Sequence, residues 1–105
     1  MSKYWEEIIQ NHFTLKITVN LKEYELCDLY LTPIKSTKDY MCKAYIGECI
    51  CNSDNINPTF DMFSAYDLES AKAKAEVFVM KQINKKKDKL ESQIYRYDKM
   101  LDELK

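Results

Sequence analysis

The chain has 105 residues, a formal net charge of −1, 46% hydrophobic and 12% aromatic side chains. That is enough apolar material for one modest core, and it excludes a disordered or low-complexity chain. Six cations against nine anions over residues 1–63, and ten against eight over residues 64–105, leave no global field for nucleic acid or an anionic membrane.

The first residues, MSKYWEEIIQ, carry two carboxylates and no small-residue cleavage site. No apolar run approaches the ~18 residues of a spanning helix, so a cytosolic (cytoplasmic) protein is expected. Ser2 as N-cap, Glu6 and Glu7 in the first turns, and Trp5, Ile8 and Ile9 on one face predict a short amphipathic helix over residues 2–12. His12 would end it, where a cation suits the helix dipole.

Next, Phe13, Leu15, Ile17, Val19 and Leu21 alternate with Thr14, Lys16, Thr18, Asn20 and Lys22, the pattern of a strand with one wet face. A second strand is expected from about Tyr24 to Leu31, before Pro33 removes a ladder donor. After the polar Lys35–Asp39 turn, a third is expected from Tyr40 to Cys51, with a bulge at Gly47. Asn52 to Pro58 reads as a loop, and Thr59 to Phe63 as a fourth short strand or an extended lead-in to a helix.

From Thr59 to Lys105 there is neither Gly nor Pro. Ser64 followed by Asp67 is a variant capping box, which places the start of a long helix at Ser64. Leu68, Ala71, Ala75, Phe78, Val79 and Ile83 form one stripe, and Leu90, Ile94, Tyr97, Leu101 and Leu104 continue it in alternating steps of four and three, a coiled-coil seam. Ala73, Val77 and Met80 form a second apolar stripe opposite the first. Between Ile83 and Leu90 the residues are all polar. The helix either runs through as a dimerisation coil, or stops at Asn84 and restarts at Asp88–Glu91, so that residues 90–104 fold back as a helical hairpin. The expected architecture is α+β: a short N-terminal helix, a three- or four-stranded antiparallel sheet and a long C-terminal helix. It divides into a two-layer domain over residues 1–83 and a helical tail over 84–105.

This helix–strands–helix order is similar to that of double-stranded RNA-binding domains. The segment Glu69-Ser-Ala-Lys-Ala-Lys-Ala resembles the Lys- and Ala-rich helix start of that family, although Asp67, Leu68 and Glu69 stand where the family has basic residues. The likeness covers residues 2–83 and is one of topology.

Gly47 is the only glycine, which excludes Gly-rich phosphate loops. His12 is the only histidine, which excludes a two-histidine metalloprotease helix and leaves Cys–His chemistry as the nucleophilic option. Cys27, Cys42, Cys49 and Cys51 are expected to be reduced and packed as small apolar residues. Four sulfurs on zinc is the alternative, although no C-x₂₋₄-C knuckle is present. Asp28, Glu48 and Asp61 form no recognisable acid–base constellation, and no cofactor or metal is expected.

Lys81, Lys85, Lys86, Lys87 and Lys89, with Arg96 after them, make the one concentrated basic patch. These features together suggest a small non-enzymatic protein-binding module. Ala73, Val77, Met80, Leu90, Ile94, Tyr97, Leu101 and Leu104 are its candidate partner-binding residues, and the basic patch is a second site for an acidic partner or nucleic acid. The abundance of Lys, Asn, Ile and Tyr suggests an AT-rich genome of the phage or plasmid kind. On that association the specific expectation is an inhibitor of a bacterial defence complex, of the anti-CRISPR type, acting by steric occlusion. The alternatives are a small nucleic-acid-binding protein using Lys81–Lys89, and a structural homodimer through the C-terminal helix.

Overall fold

The computed structural model describes residues 3–50, 59–87 and 94–105, with the side chain of Ile94 outside that description. Cys51, Lys89 and Leu90 lie outside the described residues, as do the 52–58 loop and the proposed Asp88–Glu91 cap.

The chain opens on a strand. β1 (Lys3–Ile9), β2 (His12–Val19), β3 (Lys22–Pro33), β4 (Tyr40–Ile46) and β5 (Phe60–Ala65) form one antiparallel sheet in the order β1-β2-β3-β4-β5. The expected N-terminal helix over residues 2–12 is thus corrected to a strand, and the sheet has five strands rather than three or four. With the helix-first order gone, the likeness to double-stranded RNA-binding domains lapses. The physical reason is pairing: Lys3 lies opposite Ile17, Trp5 opposite Leu15 and Glu7 opposite Phe13, and this ladder outweighs local helix propensity. Trp5 Nε1 and Lys3 Nζ then reach the two carboxylate oxygens of Glu76 at 2.8 and 3.1 Å, tying β1 to the helical layer.

Three of the turns take left-handed backbone, one of them at Lys38 (φ 66°) between β3 and β4. Asn20 and Leu21 have φ of 53° and 66°, the conformation of a two-residue hairpin turn whose twist matches the flanking strands. Leu21, expected on the buried face, is therefore wholly exposed at the turn. Asn11, with φ 65°, serves the β1–β2 turn.

The expected bulge at Gly47 lies instead in β3: the β2–β3 register slips between Leu15 and Lys16, so that Leu26 is the extra residue and both Leu26 and Cys27 are buried. Gly47 follows the end of β4, and there its lack of a side chain serves close approach. A Cβ would stand 2.0 Å from the Glu25 carbonyl oxygen. Its N–H donates to Leu26 O at 2.8 Å.

One face of the sheet carries the core. Phe13, Leu15, Ile17 and Val19 from β2, Leu29 and Leu31 from β3, and Cys42, Ala44 and Ile46 from β4 are all buried there. Two helices cover that face among the described residues, α1 (Leu68–Lys87) and α2 (Ile94–Leu104). Helix α1 starts at Leu68 rather than Ser64. Asp67 is its cap, with Oδ1 accepting from the Ser70 N–H at 2.7 Å, while Ser64 lies within β5. The stripe Ala71, Ala75, Phe78, Val79 and Ile83 is its buried face. Basic Lys85, Lys86 and Lys87 occupy its last turn, where the dipole favours them. Helix α1 packs on β3, β4 and β5, and α2 packs on β2 and on α1, so residues 94–104 share the core of the strands.

Candidate binding surface

Because both helices lie on one side, the other face of the sheet is uncovered among the described residues. Strand alternation and register determine what it presents. Residues directly opposite one another on neighbouring strands share a face, so Ile9, His12 and Tyr30 lie in line across β1, β2 and β3, and Tyr45 and Phe60 across β4 and β5. Tyr45 sits opposite Asp28, two residues from Tyr30 on β3, and so closes the gap diagonally.

The outcome is a continuous row of rings. His12 stacks on Tyr30 at 4.2 Å and 12° between planes, Tyr30 meets Tyr45 edge-on at 5.8 Å, and Tyr45 meets Phe60 at 5.6 Å. Lys43 holds its ammonium 5.1 Å from the Tyr45 ring and 4.5 Å from Phe60, attracted by the π faces. Ile9, Met41 and Met62, all exposed, extend the row at its margins, so every strand contributes a ring or an apolar side chain to this surface.

Polar neighbours fix the rings. Asp28 Oδ1 receives both the Thr14 hydroxyl at 2.7 Å and His12 Nε2 at 3.2 Å, which holds the imidazole flat under Tyr30. Since both groups bind the same oxygen, neither is placed to activate the other. Burial pushes the Tyr30 phenol above its usual pKa, and the Asp28 carboxylate adds to this, so the hydroxyl stays a neutral donor. Towards β1 the face is ionic. Lys16 lies 2.5 Å from Glu6 and 3.9 Å from Glu23, and the Tyr4 hydroxyl donates to Glu23 at 2.6 Å. Four carboxylates, Glu6, Glu23, Glu25 and Asp28, thus share this face with only two lysines, Lys16 and Lys43.

The residues singled out from the sequence occupy other places. Tyr97, Leu101 and Leu104 of α2 turn inward and are buried with Met100. Ala73 and Val77 are exposed on α1 and Met80 is half-buried against the core. With Phe63, Phe78, Asp61, Lys74 and Lys81 they border a groove of about 390 Å³ between α1 and the outer edge of β5, with Met80 outside it. Of the basic patch, Lys87 pairs with Asp98 of α2, and the Arg96 guanidinium lies 5.4 Å from the Tyr24 ring and 4.9 Å from Tyr97. Lys81 and Lys85 are exposed, and Lys86 is half-buried.

Burial holds the Cys27 thiol up to about 12, and burial raises Cys42 as well, which makes both poor nucleophiles. Cys49 donates its thiol to the Glu25 carbonyl at 3.4 Å. Among the described residues no three His, Cys, Asp or Glu side chains gather as a metal site, and no helix is long and apolar enough to cross a membrane.

The aromatic row was not singled out from the sequence. Its signal was there, as an aromatic at an outward position in β3, β4 and β5, but the registers that align them were not. Comparison with protein-family models, with curated proteins and with solved structures returned no match.

Proposed function

We propose that the chain is a non-enzymatic protein-binding module whose uncovered sheet face docks on a partner protein. The observation that carries the reading is the row His12–Tyr30–Tyr45–Phe60, fixed in place by stacking and by Asp28, with exposed Met41 and Met62 beside it. Rigid aromatic anchors with flexible methionine margins are the side chains that dominate binding energy at protein interfaces. A contiguous apolar patch of this kind on a small domain marks an interaction surface. Binding of this kind works by occupying a surface, as a steric inhibitor of a bacterial defence complex would, and requires no bond-making chemistry from the chain.

Single-stranded nucleic acid is the second reading, favoured by one observation: Lys43 lies over two rings of the row, as in proteins that stack bases beside a cation. The carboxylates on the same face weigh against it, since they would repel a phosphate backbone.

The test is a Tyr45→Glu, Phe60→Glu double variant, charged at one half-buried and one exposed ring position and checked for unchanged melting. Against wild-type protein as bait it should lose the specific capture of a partner protein, and wild-type capture should persist at high salt. Equal capture by both proteins would refute the docking face. Capture of nucleic acid that falls steeply with salt would favour the second reading.

A further inference from the structure

The two edges of the sheet are unequal. β1 carries Lys3, Glu6 and Glu7 and breaks its register between Glu7 and Ile9, devices that blunt an edge against further pairing. β5 is regular through all its six residues, FDMFSA, and among the described residues its far side pairs with no strand.

Which backbone groups point outward follows from parity. The Ile46 N–H donates to Thr59 O at 3.0 Å, so the pairs that exchange hydrogen bonds with β4 alternate through Asp61, Phe63 and Ala65. The N–H and C=O groups of Phe60, Met62 and Ser64 therefore face away from the sheet. Lys74 Nζ confirms the direction, since it donates to the outward Ser64 carbonyl at 2.7 Å. Beside this edge, on the helix side, lies the groove floored by Phe63 and walled by Val77 and Phe78 of α1, with Val77 47% exposed.

We propose that the outer edge of β5 accepts an extended peptide of a partner protein as a sixth strand. The peptide bonds its main chain to Phe60 and Met62 and lays alternate apolar side chains into the groove against Phe63 and Val77. Its charge is set by the rim. Lys74 and Lys81 stand on α1 beside Asp61, and among the described residues no ion pair involves Lys81, so a carboxylate on the peptide's helix-facing side completes the site. The same rim argues against a second copy of this chain as the occupant, because two β5 edges paired about a two-fold axis would bring the Lys74 and Lys81 of each copy together. This site uses the backbone edge and the helix side of β5, whereas the aromatic row uses the opposite side, so either can fail without the other.

The probe is a displayed library of linear peptides panned against the full chain, with the tightest binder then synthesised. Amide hydrogen exchange is followed by NMR with and without it. In the unbound protein Asp61 and Phe63 should exchange slowly and Phe60 and Met62 fast. Bound peptide should slow Phe60 and Met62 about tenfold or more, and Val77→Lys should weaken its binding about tenfold. Met62→Pro removes an outward N–H without touching the β4 ladder and should abolish binding. If that variant does not fold, Val77→Lys, at an exposed helix position, still decides the matter. Overturning results would be the selection of no peptide, binding that leaves Phe60 and Met62 unchanged or ignores Val77→Lys, or self-association of the unbound chain that already protects these amides.

Discussion

Replacing Tyr97 by alanine separates a fold-back helix from an assembly seam. Tyr97 has no exposed surface and heads the fully buried side chains by size. It packs where α2 meets β2 and α1, its hydroxyl receives the Arg96 Nη2–H at 3.1 Å, and it donates to Cys49 O at 3.4 Å. Truncating a buried aromatic to alanine costs about 3–5 kcal/mol in lost transfer energy and residual cavity. Against a total of about 5–15 kcal/mol for a small domain, that removes a large share of the stability. The melting midpoint should fall by roughly 20 °C. Tyr97→Phe keeps the packing and loses the hydrogen bonds of the hydroxyl, so about 1 kcal/mol is expected. Urea unfolding followed by circular dichroism, at widely separated protein concentrations, reads both quantities. The wild-type midpoint should not move with concentration. A cost below about 1 kcal/mol for Tyr97→Ala, or a midpoint that rises with concentration, would refute the packing of α2 into the monomer core.

Four further outcomes are expected. Glu76→Gln weakens the ties from Lys3 and Trp5 and should cost about 1–2 kcal/mol while red-shifting the emission of Trp5, the single tryptophan. Gly47→Ala drives a Cβ onto the Glu25 carbonyl and should cost about 2 kcal/mol or more in chemical denaturation. Leu21→Gly should stabilise by about 1 kcal/mol, because Leu21 holds φ 66° with its side chain wholly in solvent, and glycine adopts that conformation without strain. Cys27, raised from 9.0 to about 12 by burial first and by Asp28 second, makes the fold pH-dependent. Below the unfolded value both states are protonated and the contribution is complete. Between the two values the unfolded chain ionises first, so wild type should lose about 1.4 kcal/mol per pH unit relative to Cys27→Ala, measured as paired denaturation curves.

How far the sequence could be read depended on how local each determinant is. The alternation from Phe13 to Val19 needs only its own residues to declare a strand, and the stripe Ala71–Ile83 likewise declares the inward face of a helix. At the N-terminus the signal misled. Trp5, Ile8 and Ile9 are spaced as on a helix and the glutamates sit where a helix start wants them, yet the strand forms because β2 offers a ladder on that side. The start of α1 was misplaced by four residues because Ser64 and Asp67 both cap well, and only the pairing of Ser64 opposite Met41 decides between them. The second stripe was legible in part, since Ala73 and Val77 do line an open groove. The aromatic row was not legible: His12, Tyr30, Tyr45 and Phe60 are scattered along the chain, and a one-residue shift in any register would send a ring to the other face.

Every strand pairs with its neighbour in sequence, and this has a consequence for how the chain is made. Hairpins that close over such short separations form early, and on a ribosome the five-stranded meander can assemble before either helix has been synthesised. Its apolar side, with Leu15, Ile17, Leu29 and Ala44, then has nothing to cover it until Glu76 of α1 reaches back 71 residues to Trp5 and Tyr97 of α2 settles on Cys49. The interval between sheet and helices is therefore when a nascent chain of this design is most exposed to aggregation. A stalled or prematurely terminated copy ending near residue 67 would present two apolar faces to the cell instead of one.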